Sequence, residues 1–202
     1  MKNIVLIMWY FLGPILLTGQ DWPELNRFRE DNARLDVPKV NENRIVFMGN
    51  SITESWSSLH PEFFSGKSYI NRGISGQTTA QMLVRFRADV IDLQPKAVVI
   101  LAGTNDIAGN TGPATIKMIA DNIMSMAELA RENNILVIIS SVLPVYDYSW
   151  KPGLEPVAKI SRLNEIIKNY AIQHGHTYLD YYAAMVDDQK GLKKEYTYDG
   201  VH

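Results

Sequence analysis

The amino-acid sequence predicts an α/β fold, a parallel sheet with helices packed on both faces. Three observations carry the prediction. Apolar, β-branched segments recur at Arg44–Met48, Lys67–Asn71, Ala97–Ala102, Ile135–Ser141 and His176–Asp180. Two of them, AVVILA and ILVIIS, are apolar without alternation, as a strand buried on both faces must be. Helical patterns fill the gaps between them, and strand–helix alternation builds a parallel sheet.

The intervening segments each carry helix signals. Thr78 can cap a helix running through Ile91, with Met82, Leu83, Phe86, Val90 and Ile91 at helical spacing. The segment from Pro113 to Asn133 has proline in a first-turn position and Asn133-Asn134 at its end. Pro156 to Gln173 repeats the pattern with Val157, Ile160, Leu163, Ile166, Ile167 and Tyr170, and Gly175 stops it. Ahead of the first strand, Asp21–Leu35 is polar with spaced Leu25, Phe28 and Leu35, which reads as a surface helix and an arm leading to Pro38. The longest irregular stretch is Leu143–Glu155.

At 202 residues the chain is one domain by the usual scale of roughly 100–200 residues each. A hydrophobic share of 46% against 21% charged places it among globular proteins and gives it a sizeable core. The formal charge of −2 provides no basic excess for phosphates, so nucleic acid is not an expected partner. The sequence contains no cysteine, which removes disulfides, thiol nucleophiles and thiolate metal sites. Residues 1–19 join Lys2 to an apolar run from Ile4 to Leu17, and Thr18-Gly19 precede polar sequence. That is the pattern of a secretory signal peptide, too short to span a bilayer stably. The expected organisation is signal peptide 1–19, N-terminal helix or arm 20–43 and one domain from 44 to 202. The expected location is periplasmic or secreted, with no lipid on a cysteine and no stable membrane insertion after cleavage.

In open parallel sheets, ligands bind beyond the carboxyl ends of the strands. Four segments meet that edge. Gly49-Asn50-Ser51 follows the first strand, placing a hydroxyl on a sharp turn that opens a helix, although serine at such a junction is often only a cap. Gly73, after the second strand, can bring a bare backbone N–H close to a ligand. Gly103-Thr104-Asn105-Asp106 follows the third, and an amide such as that of Asn105 can donate to an oxyanion. Asp199-Gly200-Val201-His202 can set a carboxylate against the imidazole Nδ1 and leave Nε2 as a base. His60, His174 and His176 have no comparable partner, and no carboxylate cluster supports a metal at the H-x-H pair, so neither metal nor cofactor is expected. The glycine turns match neither the dinucleotide nor the P-loop pattern.

Taken in order, these blocks resemble the SGNH/GDSL hydrolase family from about Arg44 to His202. The GDS block is Gly49-Asn50-Ser51, with asparagine where the family has aspartate. The other blocks are Gly73, Gly103-Thr104-Asn105-Asp106 and Asp199 to His202. The resemblance implies a flavodoxin-like three-layer α/β/α sandwich with about five parallel strands. It implies cofactor-free ester hydrolysis in which Ser51 is the nucleophile, His202 the base and Asp199 its orienting group. The Ser51 and Gly73 N–H groups and the Asn105 amide would hold the oxyanion. Family members continue into a final helix beyond the D-x-x-H block, so the sequence is expected to lack one.

Trp56, one helical turn past the serine, and Tyr146, Tyr148 and Trp150 in the long loop are candidate substrate contacts, because flat aromatics stack on sugar rings. These features favour a secreted esterase of short acyl groups, acetyl above all, on a carbohydrate. The alternatives are a lysophospholipase or thioesterase, which would need an apolar groove for longer chains, and a glycan-binding module without turnover. The expected partner is a small-molecule or glycan ester.

Overall fold

The computed structural model describes residues 21–202. The expected signal peptide, with residue 20 of the arm, lies outside the described residues. In chain order the elements are α1 (Arg29–Ala33), β1 (Ile45–Gly49), α2 (Ser51–Leu59), α3 (Pro61–Phe64), β2 (Tyr69–Gly73), α4 (Thr79–Asp89), β3 (Ala97–Leu101), α5 (Thr104–Ile107), α6 (Ile116–Glu132), β4 (Leu136–Ser140), α7 (Pro156–Gln173), β5 (Thr177–Leu179) and α8 (Tyr181–Met185). The five strands form one parallel sheet in the order β2-β1-β3-β4-β5, as the alternation requires.

Side-chain alternation explains the layers. Val46 and Met48 of β1, Val98 and Ile100 of β3, and Val137 and Ile139 of β4 point into one core cluster. Met82 and Phe86 of α4, Ile119, Ile123 and Met126 of α6, and Ile160, Leu163 and Ile167 of α7 close over them. Fully burying one such side chain stabilises the fold by roughly 1.5–3 kcal/mol. The intervening residue of β1, Phe47, points to the opposite face. There it meets Trp56 of α2 and Phe63 and Phe64 of α3 edge-on, with ring centroids 5.6–5.7 Å apart.

Caps set the helix ends. Thr78 and Gln81 form a reciprocal capping box at the start of α4. Thr115 Oγ1 accepts the Met118 N–H, so α6 begins at Ile116 and not at Pro113, which lies ahead of the cap. Gly175, at φ +70°, ends the turn after α7.

Two boundaries differ from the sequence reading with consequences. Strand β2 starts and ends two residues later than expected. Asn71, Arg72 and Gly73 look like turn residues but stay in register with Phe47, Met48 and Gly49 of β1. Arg72 is held there by the Asn32 side chain and by the Phe28 ring 4.6 Å away. The N-terminal helix is only five residues long, because the Asp21 carboxylate takes the N–H groups of Leu25 and Asn26 into a turn. Of its three spaced apolar residues, only Phe28 is buried.

Candidate active site

The first strand delivers the serine. Gly49 ends β1 where a Cβ would lie 2.0 Å from Thr53 Oγ1, so the following helix can fold tightly back. Asn50, not Ser51, is the helix cap: its Oδ1 accepts the Ile52 N–H at 3.1 Å. Ser51, the first residue of α2, thereby keeps its hydroxyl for another partner. That partner is His202 Nε2, 2.8 Å away. His202 Nδ1 lies 2.7 Å from Asp199 Oδ2.

Asp199 is fixed by its own turn. Its Oδ1 accepts the backbone N–H of His202 at 2.7 Å and of Val201 at 2.9 Å. Gly200, at φ +87°, and the Thr197 hydroxyl, which accepts the Gly200 N–H, shape the bend between them. Burial works to raise the Asp199 carboxyl, but the N–H groups of His202 and Val201 and the imidazole outweigh it and hold it below the ordinary value of 3.8.

The third strand delivers Asn105. Gly103 has φ +122°, and a Cβ there would lie 2.9 Å from Leu163 Cδ2, so only glycine lets α5 start against α7. Asn105 is nearly buried and spends one amide hydrogen on the Gln77 carbonyl at 3.0 Å. Asp106 anchors the segment by accepting the Thr79 N–H and hydroxyl at the start of α4, and burial raises its carboxyl above 3.8.

Gly73 takes a different place from the one its sequence suggested. Its N–H donates to Asn71 Oδ1 at 2.8 Å and is not free for a ligand. Its lack of a side chain serves packing instead, since a Cβ would lie 2.2 Å from the Glu54 backbone nitrogen. The loop after β2 begins at Ile74, and its glycine is Gly76. Gly76 has φ +77°, and its carbonyl accepts from Asn110 Nδ2 at 3.0 Å. Among the described residues its N–H has no hydrogen-bond acceptor, nor has that of Ser51. Neighbours pin this loop on both sides: Ser75 N–H donates to Glu54 Oε2 at 2.8 Å, and Gln77 receives Asn105. Extending β2 by two residues in the sequence reading would have pointed to Gly76.

The aromatic candidates separate. Trp56 stacks on Phe63 with centroids 4.5 Å apart and lines an apolar cleft of about 460 Å³ with Ile52, Leu101, Leu143 and Met185, reaching His202. Tyr148 is fully buried. Its hydroxyl donates to the Thr104 carbonyl at 2.9 Å, and burial pushes it up to about 12, so it ties the long loop to the sheet edge. Tyr146 and Trp150 are exposed and stand outside the cleft. Among the described residues no group of acidic, histidine or cysteine side chains could hold a metal, and no helix is long and apolar enough to cross a membrane.

Comparison with known proteins decides the family. The model of the GDSL-like lipase/acylhydrolase family matches residues 47–202, from β1 through the D-x-x-H turn. The chain belongs to this family. A crystal structure of a GDSL-like lipase from Bacteroides thetaiotaomicron VPI-5482 is 48% identical with a TM-score of 0.87, covering 89% of each chain. A candidate acylhydrolase from Bacteroides fragilis NCTC 9343 is 49% identical with a TM-score of 0.89, over 91% of this chain and 89% of that one. The lipoprotein YqeF of Bacillus subtilis (strain 168) is 35% identical over 164 residues, 76% of this chain. The chain spans 62% of the length of that relative. The family is one of GDSL-like lipases and acylhydrolases, and the SGNH fold expected of the chain is the one observed.

Proposed function

We propose that the chain hydrolyses carboxylic esters through an acyl-enzyme on Ser51. The single observation that carries this reading is the continuous relay Ser51 Oγ–His202 Nε2–Asp199, with links of 2.8 and 2.7 Å. Ser51 Oγ attacks the acyl carbonyl as His202 Nε2 takes its proton, and Asp199 stabilises the imidazolium. The oxyanion is held by the Ser51 N–H, the free hydrogen of the Asn105 amide and the Gly76 N–H, in place of the occupied Gly73 N–H. His202 protonates the departing alcohol, and water then releases the acyl group by the reverse sequence. No metal or cofactor enters any step.

For the substrate, short acyl groups on a carbohydrate remain the reading drawn from the sequence, with Tyr146 and Trp150 exposed on the loop beside the site. The apolar cleft beside His202 supports a second reading, in which a longer acyl chain lies along Trp56 and Met185. The N-terminal apolar segment and the lipoprotein relative support a location outside the cytoplasm.

The test is hydrolysis of p-nitrophenyl esters of increasing acyl length, with Ser51→Ala as the blank. Turnover that vanishes in Ser51→Ala is expected. Equal turnover in both proteins removes the serine mechanism. A kcat/KM that peaks at acetate favours the carbohydrate esterase, and one that rises to chains of eight carbons or more favours the second reading.

A further inference from the structure

We propose that Arg85 is a positioning residue for the oxyanion donors and acts through Gln77. Arg85 lies in α4, has no exposed surface and touches neither Ser51 nor His202. One face of its guanidinium is ion-paired to Asp89, with Nη1 2.9 Å from Oδ2. Its three other hydrogen bonds go to the edge of the sheet that carries the site. Nη2 donates to the carbonyls of Gly49 at 3.2 Å and Arg72 at 2.8 Å, and Nε donates to Gln77 Oε1 at 2.6 Å.

These three acceptors are not a random set. Gly49 lies two residues before Ser51, Arg72 is the last residue but one of β2, two positions before the loop, and Gln77 directly follows Gly76. One planar group therefore spans the turn that presents the Ser51 N–H and both ends of the loop that presents the Gly76 N–H. Gln77 extends the link to the third donor, because its carbonyl takes the Asn105 amide at 3.0 Å. Its side-chain amide is committed too, donating to the Pro23 carbonyl at 2.9 Å.

Packing alone does not call for this residue. Burying a guanidinium is costly, and an apolar side chain of equal volume would fill the space more cheaply. What only the guanidinium supplies is a rigid fork of donors at fixed angles, which an ammonium cannot reproduce. Oxyanion stabilisation demands such rigidity, since its donors must stand within hydrogen-bond distance of a charge that exists only in the transition state. Arg85 sets the spacing between donors that arrive from β1, β2 and β3.

The inference rests on the oxyanion assignment above, and a double-mutant cycle separates the two. The full chain is assayed on p-nitrophenyl acetate as wild type, Arg85→Lys, Asn105→Ala and the double variant, each checked for folding by circular dichroism. Arg85→Lys is expected to lower kcat about 10–100-fold with KM within about threefold, a loss confined to the transition state. In the Asn105→Ala background the same change should cost less than about threefold, because residues acting through one device are not additive. Equal losses in both backgrounds, or a loss expressed in KM, would overturn the positioning role while leaving the oxyanion assignment in place. An Asn105→Ala variant with undiminished kcat would remove that assignment and the inference with it. If Arg85→Lys does not fold, Gln77→Met, which cuts the link to the loop and leaves the other Arg85 bonds, is carried through the same cycle and decides by the same criteria.

Discussion

Replacing Asp199 by asparagine isolates what the third member of the relay does. The substitution keeps the shape, and the surrounding bonds dictate how the new amide must sit. Two backbone N–H groups, those of His202 and Val201, point at Asp199 Oδ1 from 2.7 and 2.9 Å. Turning the amide nitrogen toward them would leave both N–H groups without an acceptor, at roughly 1–3 kcal/mol each. The amide oxygen therefore stays on the backbone side, and the NH2 faces His202 Nδ1. Facing a donor, Nδ1 must give up its hydrogen and accept. The imidazole proton moves to Nε2, the atom that has to receive the proton of Ser51. In a Ser-His-Asp relay, the wrong tautomer lowers kcat about 10⁴-fold, or about 5.5 kcal/mol of barrier. KM should hardly move, because Asp199 stands behind the imidazole. The measurement is the initial rate of p-nitrophenyl acetate hydrolysis near neutral pH, with Ser51→Ala as the blank. A variant within tenfold of wild type would refute the reasoning, since His202 would then function without an orienting carboxylate.

Four further outcomes follow from the same geometry. Gly73→Ala should abolish soluble, folded protein, because the added methyl would meet the backbone of α2 at 2.2 Å. Gly76→Ala would place its methyl in ordinary contact with Asn110 Nδ2 at 3.9 Å, at φ +77°, and should fold at a cost of about 1–2 kcal/mol, with lowered kcat; a folded but inactive Gly73→Ala would restore the oxyanion role to Gly73. Asp106→Ala should lower the free energy of urea unfolding by about 2–3 kcal/mol, because the buried N–H and hydroxyl of Thr79 lose their acceptor, and a loss below about 0.5 kcal/mol would count against that anchor. The Asp199 carboxyl lies below 3.8 when folded, so its charge stabilises the fold above that pH and the contribution is lost as pH falls through the folded value. Asp199→Asn should therefore flatten the acid limb of the unfolding midpoint against pH, whereas an unchanged limb would assign that limb to other carboxylates.

Much of the fold was legible in the sequence because both of its periodicities are strong. AVVIL in β3 is buried throughout, and the apolar stripes of α4, α6 and α7 fall on the core as their spacing requires. The end of β2 was not legible. Asn71-Arg72-Gly73 has turn composition, and only the register with β1, with Asn32 and Phe28 holding Arg72, makes it strand. That two-residue error carried into the site, since the glycine taken as the first loop glycine belongs to the strand. Ser51, Asn105, Asp199 and His202 stood out because each follows a strand or forms a local D-x-x-H turn. Arg85 and Gln77 did not, because the bonds that tie them to Gly49 and Asn105 run across 36 and 28 residues of sequence, and nothing local marks an arginine in a helix as buried. Tyr148 and Trp150, neighbours in one aromatic loop, were inseparable by sequence. Burial and the Thr104 bonds distinguish them.

The asparagine at position 50 shows how little of the turn that presents Ser51 depends on charge. The family pattern puts a carboxylate there, and the residue is 1% exposed, where an ionised group would be costly without full compensation. The turn itself asks only for one acceptor beneath the Ile52 N–H, which an amide oxygen supplies as well as a carboxylate does. A negative charge at this helix start would add a favourable helix-dipole contribution of about 0.3–1 kcal/mol. On the proposed mechanism it would also stand next to Ser51, where negative charge would develop on the substrate during attack, and a neutral neighbour would avoid that repulsion. The cost of asparagine falls on helix stability and its benefit on the reacting centre, so the serine turn keeps its geometry without the carboxylate.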